Sequence, residues 1–202
     1  EVPATMPAKD LTFTGSYTIN KDMKYNLIYK VDGMEYKRMV VAFGDPIELI
    51  AYPTKEGHTF SGWSETPETM PLQDVTVSGS FTANSYNVTF ILEGETFHTG
   101  SVVFGTGINV PQAPDKEGYT FSGWGEIPAT MPAKDLTFTG NYTINSYTLL
   151  YLVDGIEHQR LTIEFGTSIT PEAAPEKEGH TFSGWSEIPN YMPASDVTIT
   201  GT

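Results

Sequence analysis

Residues 55–63 read Lys-Glu-Gly-His-Thr-Phe-Ser-Gly-Trp, and this nonapeptide returns at 116–124 and 177–185, with Tyr in place of His in the second copy. Each copy begins 61 residues after the previous one. Every tryptophan of the 202-residue chain is the last residue of one of these copies, at positions 63, 124 and 185. A period of this length is too long for a coiled-coil heptad and is typical of a small domain repeated in tandem.

The period predicts where the domains begin and end. We expect complete repeats at 23–85, 86–146 and 147–202, which are called repeats 1, 2 and 3 below. Residues 1–22 have the sequence of the closing portion of a repeat, since the first 20 positions match 126–145 at 18 places. We therefore expect the chain to be a piece of a longer array whose targeting segments lie elsewhere.

The closing portion contains one candidate strand. Leu11, Phe13 and Tyr17, with threonines between them, predict a β-strand that is interrupted near Gly15. Residues 1–22 contain neither a hairpin nor the nonapeptide, so this strand would lack its native partners and expose its edges.

The size of a repeat limits how it can be stabilised. Units of about sixty residues lie near the lower limit for independent folding. The chain contains no cysteine, so disulfides cannot supply the missing stability. Each repeat must therefore rely on a dense core or on its neighbours.

The charge of the chain argues against polyanionic partners. The formal net charge is −14, from 25 acidic and 11 basic residues, and every repeat carries part of the excess. An anionic surface disfavours nucleic acid and anionic lipid. No apolar run approaches the roughly 18 residues that span a bilayer. We expect no nucleic-acid partner and no membrane insertion by this part of the protein.

Apolar residues alternate at the start of each repeat, which predicts a β-strand with one face toward a core. In repeat 1 these residues are Tyr25, Leu27, Tyr29 and Val31. The next residues are Asp32-Gly33, and such a step predicts a tight hairpin because glycine adopts positive φ without cost. The corresponding steps in the other repeats are Glu93-Gly94 and Asp154-Gly155.

The remainder of each repeat completes the predicted fold. Residues 45–51, with a proline in the first turn, predict a helix of one or two turns. The nonapeptide predicts a third strand, and 75–77 predict a last one. The expected class is α+β, mainly β, with β-grasp-like domains in which a mixed four-stranded sheet packs on one short helix. The short connections at 83–85 and 144–146 predict an elongated rod.

The aromatic residues of the nonapeptide are the candidate anchors of each core. Burial of a tryptophan removes on the order of 200 Å² of surface from water. A unit of about sixty residues needs this contribution to its core. The alternative is a platform on which sugar rings stack. The predicted structural anchors are Phe60, Trp63, Phe121, Trp124, Phe182 and Trp185.

No histidine pattern indicates a metal site. His58 and His180 occupy the place of Tyr119 in repeat 2, which is incompatible with a metal site in every repeat. His98 and His158 lie in the predicted hairpins, and we expect all four to serve surface packing.

No other pattern predicts a catalytic or cofactor residue. Glu65 and Asp74 recur in each repeat, and paired carboxylates can do acid–base work, but one pair per repeat is more typical of loop capping. Asp32 lacks the pattern of a calcium loop, and Ser61 lacks a nucleophile elbow. Lys55 also recurs, which leaves an isopeptide crosslink to Asn or Asp open.

The motif has a specific resemblance. The nonapeptide at 116–124, preceded by Phe-Gly-Thr at 104–106 and followed by Met-Pro-Ala-Lys-Asp-Leu-Thr at 131–137, resembles the Listeria–Bacteroides repeat of internalin-like surface proteins. The resemblance covers effectively the whole chain, although His58 and His180 depart from the motif. It implies tandem β-grasp-like modules on bacterial surface or secreted proteins, often beside leucine-rich repeats, and it carries over no catalytic residues.

The sequence thus predicts a non-enzymatic, extracellular stalk or spacer of a bacterial cell-surface or secreted protein, an adhesin whose recognition domain it holds away from the cell. Its partners would be the flanking domains of the same chain. The alternative is that the repeats themselves bind host protein or glycan. Exposure separates the two: a stalk buries Phe60 and Trp63, whereas a binder presents aromatic residues in register on one side.

Overall fold

A computed structural model of the chain describes residues 5, 8–18, 20 and 22–202. By its internal contacts the chain divides into two compact units, one ending at Ala83 and one spanning Asn84–Thr202. Every regular element in the described part of the chain is a β-strand, so the prediction of a mainly β protein is confirmed.

The strands follow the repeats. Repeat 1 contains β1 (Lys24–Val31), β2 (Met34–Ala42), β3 (His58–Phe60), β4 (Val75–Gly79) and β5 (Phe81–Ala83). Repeat 2 contains β6 (Ser85–Leu92), β7 (Glu95–Val103), β8 (Tyr119–Phe121), β9 (Leu136–Gly140) and β10 (Tyr142–Ile144), with β6 beginning one residue before the predicted boundary. Repeat 3 contains β11 (Ser146–Val153), β12 (Ile156–Glu164) and β13 (Val197–Gly201).

Each repeat builds one three-stranded sheet around its first strand. In repeat 1, β1 pairs antiparallel with β2 and parallel with β4, which sets Leu27 opposite Val75 and Tyr29 opposite Val77. The orders β7-β6-β9 and β12-β11-β13 repeat this arrangement. The antiparallel pair is a hairpin, and the parallel pair requires the long crossover that carries the nonapeptide.

The predicted hairpin turns are confirmed. Asp32 and Gly33 have φ values of 51° and 81°, two successive left-handed residues between β1 and β2. This is the pattern of a type I′ turn, whose twist matches that of the strands it joins. Glu93-Gly94 and Asp154-Gly155 adopt the same conformation.

Each repeat has its own core. In repeat 1 the buried residues are Leu27, Tyr29, Met70, Val75 and Val77. Repeats 2 and 3 have separate clusters at equivalent positions, centred on Phe90 and on Tyr151. The alternation of β1 is therefore confirmed, since Leu27 and Tyr29 are fully buried.

The predicted helix at 45–51 is wrong, because this segment is extended and no described residue is helical. Its backbone groups are used by distant partners: Asp45 O accepts from Met70 N–H at 2.8 Å, and Ile50 O accepts from the Trp63 indole at 2.9 Å. A helix over 45–51 would instead have paired the Asp45 carbonyl with the N–H of residue 49. The α+β class and the helix of the predicted β-grasp are corrected accordingly to an all-β architecture.

The predicted four-stranded sheet is also wrong. The nonapeptide strands β3 and β8 pair with β5 and β10 in separate two-stranded ribbons, not with the main sheet. After β4 and after β9 the chain continues past one residue into β5 and β10, which run antiparallel to the nonapeptide. In repeat 3 the equivalent residues, 180–182, form no strand.

The strand expected around Leu11, Phe13 and Tyr17 is absent, because residues 10–18 have no regular structure. Phe13 is 60% exposed and Tyr17 is fully exposed. In repeats 1–3 the equivalent segment is a strand because it pairs with the first strand of its own repeat. The described residues before Lys24 include no such partner strand.

The recurring aspartates cap the loop before the last strand, as the loop-capping hypothesis predicts. The Asp74 carboxylate accepts from the backbone N–H of Asn26 at 2.7 Å and from its side-chain amide at 3.0 Å. Asp135 and Asp196 accept from the backbone of residues 87 and 148 in the same way. These hydrogen bonds from Asn26, with a contribution from the charge of Arg38, hold the pKa of Asp74 below its ordinary value.

Asp74→Ala should lower the free energy of unfolding of repeat 1 at neutral pH. A carboxyl group whose pKa is lower in the folded chain stabilises it above the ordinary pKa of about 4, and this stabilisation disappears as the pH falls through the lowered pKa. The difference between variant and parent should therefore shrink in acid. Amide exchange of β1 across a pH series measures it, and Glu65→Ala removes an equal charge from an exposed position as the control. A difference that is the same at neutral and acid pH would contradict the prediction.

Candidate functional site: the aromatic anchors and the junction between repeats

The tryptophan of repeat 2 joins three parts of the domain. Trp124 is 7% exposed, and its ring meets Phe121 edge-on at 5.0 Å and Phe90 of β6 at 5.1 Å. Its indole N–H donates to Pro111 O at 2.8 Å. One side chain therefore fixes the nonapeptide, the central strand and the extended segment relative to one another.

The other repeats contain the same arrangement. Trp63 lies 4.9 Å from Phe60 and 5.0 Å from Tyr29, and Trp185 lies 4.9 Å from Phe182 and 5.0 Å from Tyr151. Among the six predicted anchors Trp124 is buried and the others are half-buried. Edge-to-face pairs of this kind add about 0.5–1.5 kcal/mol beyond the apolar area they bury.

A glycine at the end of the last strand makes room for the rings. A Cβ atom on Gly140 would lie 2.5 Å from the Phe121 ring and 3.0 Å from Trp124. The ring therefore stands directly on the backbone of β9. Gly79 and Gly201 have the same relation to Phe60 and Phe182. In the sequence, the only indication of this contact is that a glycine recurs every 61 residues, at 79, 140 and 201.

A second aromatic position covers the outer side of each tryptophan. Tyr36 lies 6.4 Å from Trp63, Phe97 5.7 Å from Trp124 and His158 5.9 Å from Trp185. Tyr36 and Phe97 are 54% and 40% exposed. We call Tyr36, Phe97 and His158 the outer aromatic positions. Their residue type changes from repeat to repeat, so no recurring residue marks their contact with the tryptophan in the sequence.

Repeats 2 and 3 are joined by a single residue outside the strands. β10 ends at Ile144 and β11 begins at Ser146, which leaves Asn145 between them. The Asn145 N–H donates to Gly118 O at 2.9 Å, and its carbonyl accepts from Phe165 N–H at 2.9 Å. Its side-chain oxygen accepts from Thr120 Oγ1 at 2.7 Å. The connecting residue is thus bonded to both repeats.

An aromatic contact reinforces this junction. The Phe165 ring of repeat 3 meets Tyr119 of repeat 2 edge-on, with ring centres 6.1 Å apart. Gly118, with φ of 74°, lies beneath the same ring, and a Cβ atom there would be 2.2 Å from it. Repeat 3 therefore packs on the glycine of the nonapeptide of repeat 2, where any side chain would separate them.

Lys116 organises the surface beside the junction. Its ammonium lies 2.9 Å from Glu93, and it stands 4.4 Å and 5.0 Å from the ring centres of Tyr119 and Tyr142. The hydrogen bond with Glu93 raises the pKa of Lys116 above its ordinary value. Tyr142 donates its hydroxyl to Pro114 O. Lys116 is the counterpart in repeat 2 of Lys55, the residue considered above for an isopeptide crosslink. Its side chain forms a solvent-exposed ion pair with Glu93.

The remaining candidates for chemistry have structural partners. His58 and His180 each place Nδ1 2.8 Å from the carbonyl of the second residue before them. Ser61 Oγ accepts from Ser80 N–H at 3.0 Å, and Ser122 has the equivalent bond with Asn141. Within the residues that the structure describes, no three histidine or acidic side chains gather as metal ligands would.

No described segment forms a helix with the length and apolarity that crossing a membrane requires.

Comparisons with known proteins identify related sequences. The profile of the Listeria-Bacteroides repeat domain matches residues 25–82, 86–153 and 147–201. A protein of Evansella cellulosilytica, provisionally named a membrane protein, is 30% identical over 190 residues, covering 81% of this chain and 28% of the relative. Internalin H of Listeria monocytogenes is 32% identical over 151 residues, covering 62% of this chain and 27% of that protein. The chain thus spans little more than a quarter of the length of these relatives.

Trp124→Ala should destabilise repeat 2 by roughly 3–5 kcal/mol, because it removes a buried ring and leaves a cavity. Amide exchange of β6 resolves the effect from the other repeats. Tyr191→Ala removes a ring that is 64% exposed and is the control. Unchanged exchange in β6 of Trp124→Ala would refute the role of the anchor.

Gly140→Ala should destabilise the same repeat by about 1–3 kcal/mol, because the added methyl group overlaps the Phe121 ring. Gly100→Ala is the matched control, since its Cβ would meet nothing closer than His98 at 3.8 Å. Urea unfolding of both variants measures the difference, and equal stabilities would contradict the close contact at Gly140.

Gly118→Ala should loosen the junction between repeats 2 and 3. Gly179→Ala is a matched control, because Gly179 has nearly the same φ, 73°, in repeat 3 but has nothing within 4 Å of its Cβ position. Both substitutions strain a left-handed residue by roughly 1–2 kcal/mol, and only the first displaces Phe165. Nitrogen-15 relaxation should show repeats 2 and 3 tumbling more independently in Gly118→Ala alone. The same change in both variants would contradict the role of the ring contact.

Proposed function

The chain belongs to the Listeria-Bacteroides repeat domain family, and from this premise we propose that it is a stalk or spacer in a bacterial cell-surface or secreted protein. It forms part of the repeat region of such a protein. Its task is mechanical: small domains in a row hold a recognition domain of an adhesin away from the cell, and the flanking domains of the same chain are its first partners.

The contacts at the junction between repeats 2 and 3 support this proposal most directly. One residue, Asn145, joins the two repeats, and it is hydrogen-bonded on both sides. Phe165 then locks the contact against Gly118. A connection of this kind resists bending more than a flexible linker of several glycines and serines would. A spacer needs this property.

The separate cores support the same function. Each repeat buries its own cluster of apolar residues, so a repeat can be added or removed without dividing a shared core. Stability in such arrays is approximately the sum of the stabilities of the repeats and of their neighbouring contacts. The number of repeats can therefore set the length of the stalk.

The placement of the anchors also favours a spacer. Phe60 and Trp63 contribute to the packing of repeat 1 and are half-buried, so they offer no free platform. We propose on the same grounds that the region is non-enzymatic and acts outside the cell. The names of the relatives, a membrane protein and an internalin, are consistent with an extracellular or surface location.

A second candidate function is binding of host protein or glycan by the repeats. The outer aromatic positions favour it, because Tyr36 and Phe97 expose a large part of their rings beside a tryptophan. Exposed aromatic faces bind sugar rings and protein side chains. The replacement by His158 in repeat 3 makes the surface unequal from repeat to repeat, which favours the spacer as the shared role.

The proposed stalk should scatter X-rays as an elongated particle. Three globules of about 61 residues in line give a radius of gyration near 24 Å, whereas one compact domain of 202 residues gives about 16–17 Å. Small-angle scattering of the monomer measures this value. Inserting six glycine and serine residues after Asn145 is the comparison, and it should broaden the distribution of distances. A radius below about 19 Å for the parent chain would refute the rod.

A further inference from the structure

The first strand of each repeat lies beside the last strand of its main sheet. In repeat 2, β6 and β9 run parallel and pair over five positions, from Val88 opposite Leu136 to Leu92 opposite Gly140. The Gly140 carbonyl then accepts from Glu93 N–H at 3.0 Å, which extends the pairing into the hairpin turn. Repeat 1 pairs β1 with β4 over the same number of positions, and repeat 3 pairs β11 with β13. We call the pairing of β6 with β9 the terminal pair of repeat 2.

The chain continues past the terminal pair without leaving its neighbours. Asn141, the one residue between β9 and β10, donates its N–H to Ser122 Oγ at 3.1 Å, and its carbonyl accepts from Ser122 N–H at 2.9 Å. β10 then pairs antiparallel with β8 of the nonapeptide in the same register. β9, Asn141 and β10 therefore form one line of backbone, which pairs first with β6 and then with the nonapeptide.

Tension on the chain reaches repeat 2 at its two ends. It enters through Asn84, directly before β6, and leaves through Asn145, directly after β10. β6 is therefore pulled from its start, and β9 is pulled from its end. Because these two strands are parallel, the pulls are opposed along the strand axis, and the terminal pair lies between them.

A load along the strand axis acts on all hydrogen bonds of the terminal pair together. The two strands can separate only by sliding past one another, so the bonds share the force and must break in one event. The hairpin of β6 and β7 has the opposite geometry, because Ser85 and Val103 lie opposite each other at its open end. A force that draws these two residues apart breaks the bonds one after another. A bond that bears the full force alone fails at a lower force.

Side chains connect the terminal pair to the rest of repeat 2. The Asp135 carboxylate accepts from Asn87 N–H at 2.8 Å, which ties the start of β9 to β6. Phe90 and Phe138 lie opposite each other within the pair, with ring centres 5.3 Å apart. Trp124 meets Phe90 at 5.1 Å, so the nonapeptide that pairs with β10 is also held on β6. Sliding of the strands would therefore break ring contacts as well as hydrogen bonds.

We propose that the terminal pair is a mechanical clamp, which keeps repeat 2 folded while the chain carries tension. This inference rests on the proposed spacer function, because a spacer between two attached domains is loaded at its ends. Unfolding under force is governed by the rate of crossing a barrier, and not by the free energy of unfolding alone. A domain of about sixty residues, whose stability is limited by its size, can thus resist tension through the placement of its first and last strands.

The first experiment pulls repeat 2 of the full chain in two directions by single-molecule force spectroscopy. The chain contains no cysteine, so pairs of introduced cysteines define where the force acts. The axial pair, Ser85→Cys with Asn141→Cys, loads the terminal pair along its strands. The peeling pair, Ser85→Cys with Ser101→Cys, opens the hairpin from its free end. All three positions are exposed.

The two directions should give different forces and different lengths. The handles of the axial pair are 56 positions apart, so its rupture should release about 175 Å of chain in one step. The handles of the peeling pair are 16 positions apart and should release about 50 Å. At the same loading rate the axial force should be about twice the peeling force or more. Equal forces, a lower axial force, or axial extension without a distinct rupture would overturn the clamp.

The second experiment separates the clamp from overall stability. Leu136→Ala removes an apolar side chain from the terminal pair, and Val102→Ala removes one from β7. Both side chains are half-buried and pack against the same core, and urea unfolding gives the loss of stability for each. With axial handles, Leu136→Ala should lower the rupture force and Val102→Ala should leave it unchanged. Equal lowering by both variants would show that overall stability sets the force and would overturn the clamp.

The radius of gyration tests the spacer independently of these forces. An elongated chain with equal axial and peeling forces would retain the spacer and overturn the clamp. A compact chain with the higher axial force would refute the rod and support the clamp as a property of repeat 2.

Discussion

The contact between a tryptophan and the backbone around it is the constraint on which each repeat depends. The indole of Trp124 meets two rings edge-on and donates its N–H to a carbonyl of the extended segment. A domain whose described elements are all short strands has few other ways to hold a long crossover in place. The tryptophan supplies area and a directed hydrogen bond together, and the glycine at 140 lets the partner ring approach the strand.

The same nonapeptide that builds the core also builds the junction. Phe121 and Trp124 face inward, while Gly118 and Tyr119 receive Phe165 of the next repeat. The nonapeptide strand β8 pairs with β10, and β10 leads through Asn145 into repeat 3. Folding of repeat 2 therefore forms the surface on which repeat 3 packs.

Much of the fold could be predicted because its signals are local. Alternating residues such as Leu27 and Tyr29 identified the central strand, and Asp32-Gly33 identified the turn, since both depend on backbone preferences of adjacent residues. Asp74 was identified as a capping residue by its regular return. The helix at 45–51 was predicted incorrectly, because the proline pattern that favours a first helical turn says nothing of the distant donors at Met70 and Trp63.

The sequence by itself determined the period, the strands of the hairpin, the candidate anchor residues and the family. Each of these follows from particular residue types that recur at a fixed spacing. Only the tertiary structure decided how the nonapeptide pairs and where Gly118 and Gly140 touch aromatic rings. These features join positions that are far apart in the chain, and a partner across such a distance has no local signature. The physical reason is that hydrogen bonds and ring contacts of the crossover are satisfied between segments, so their geometry exists only once the segments have been brought together.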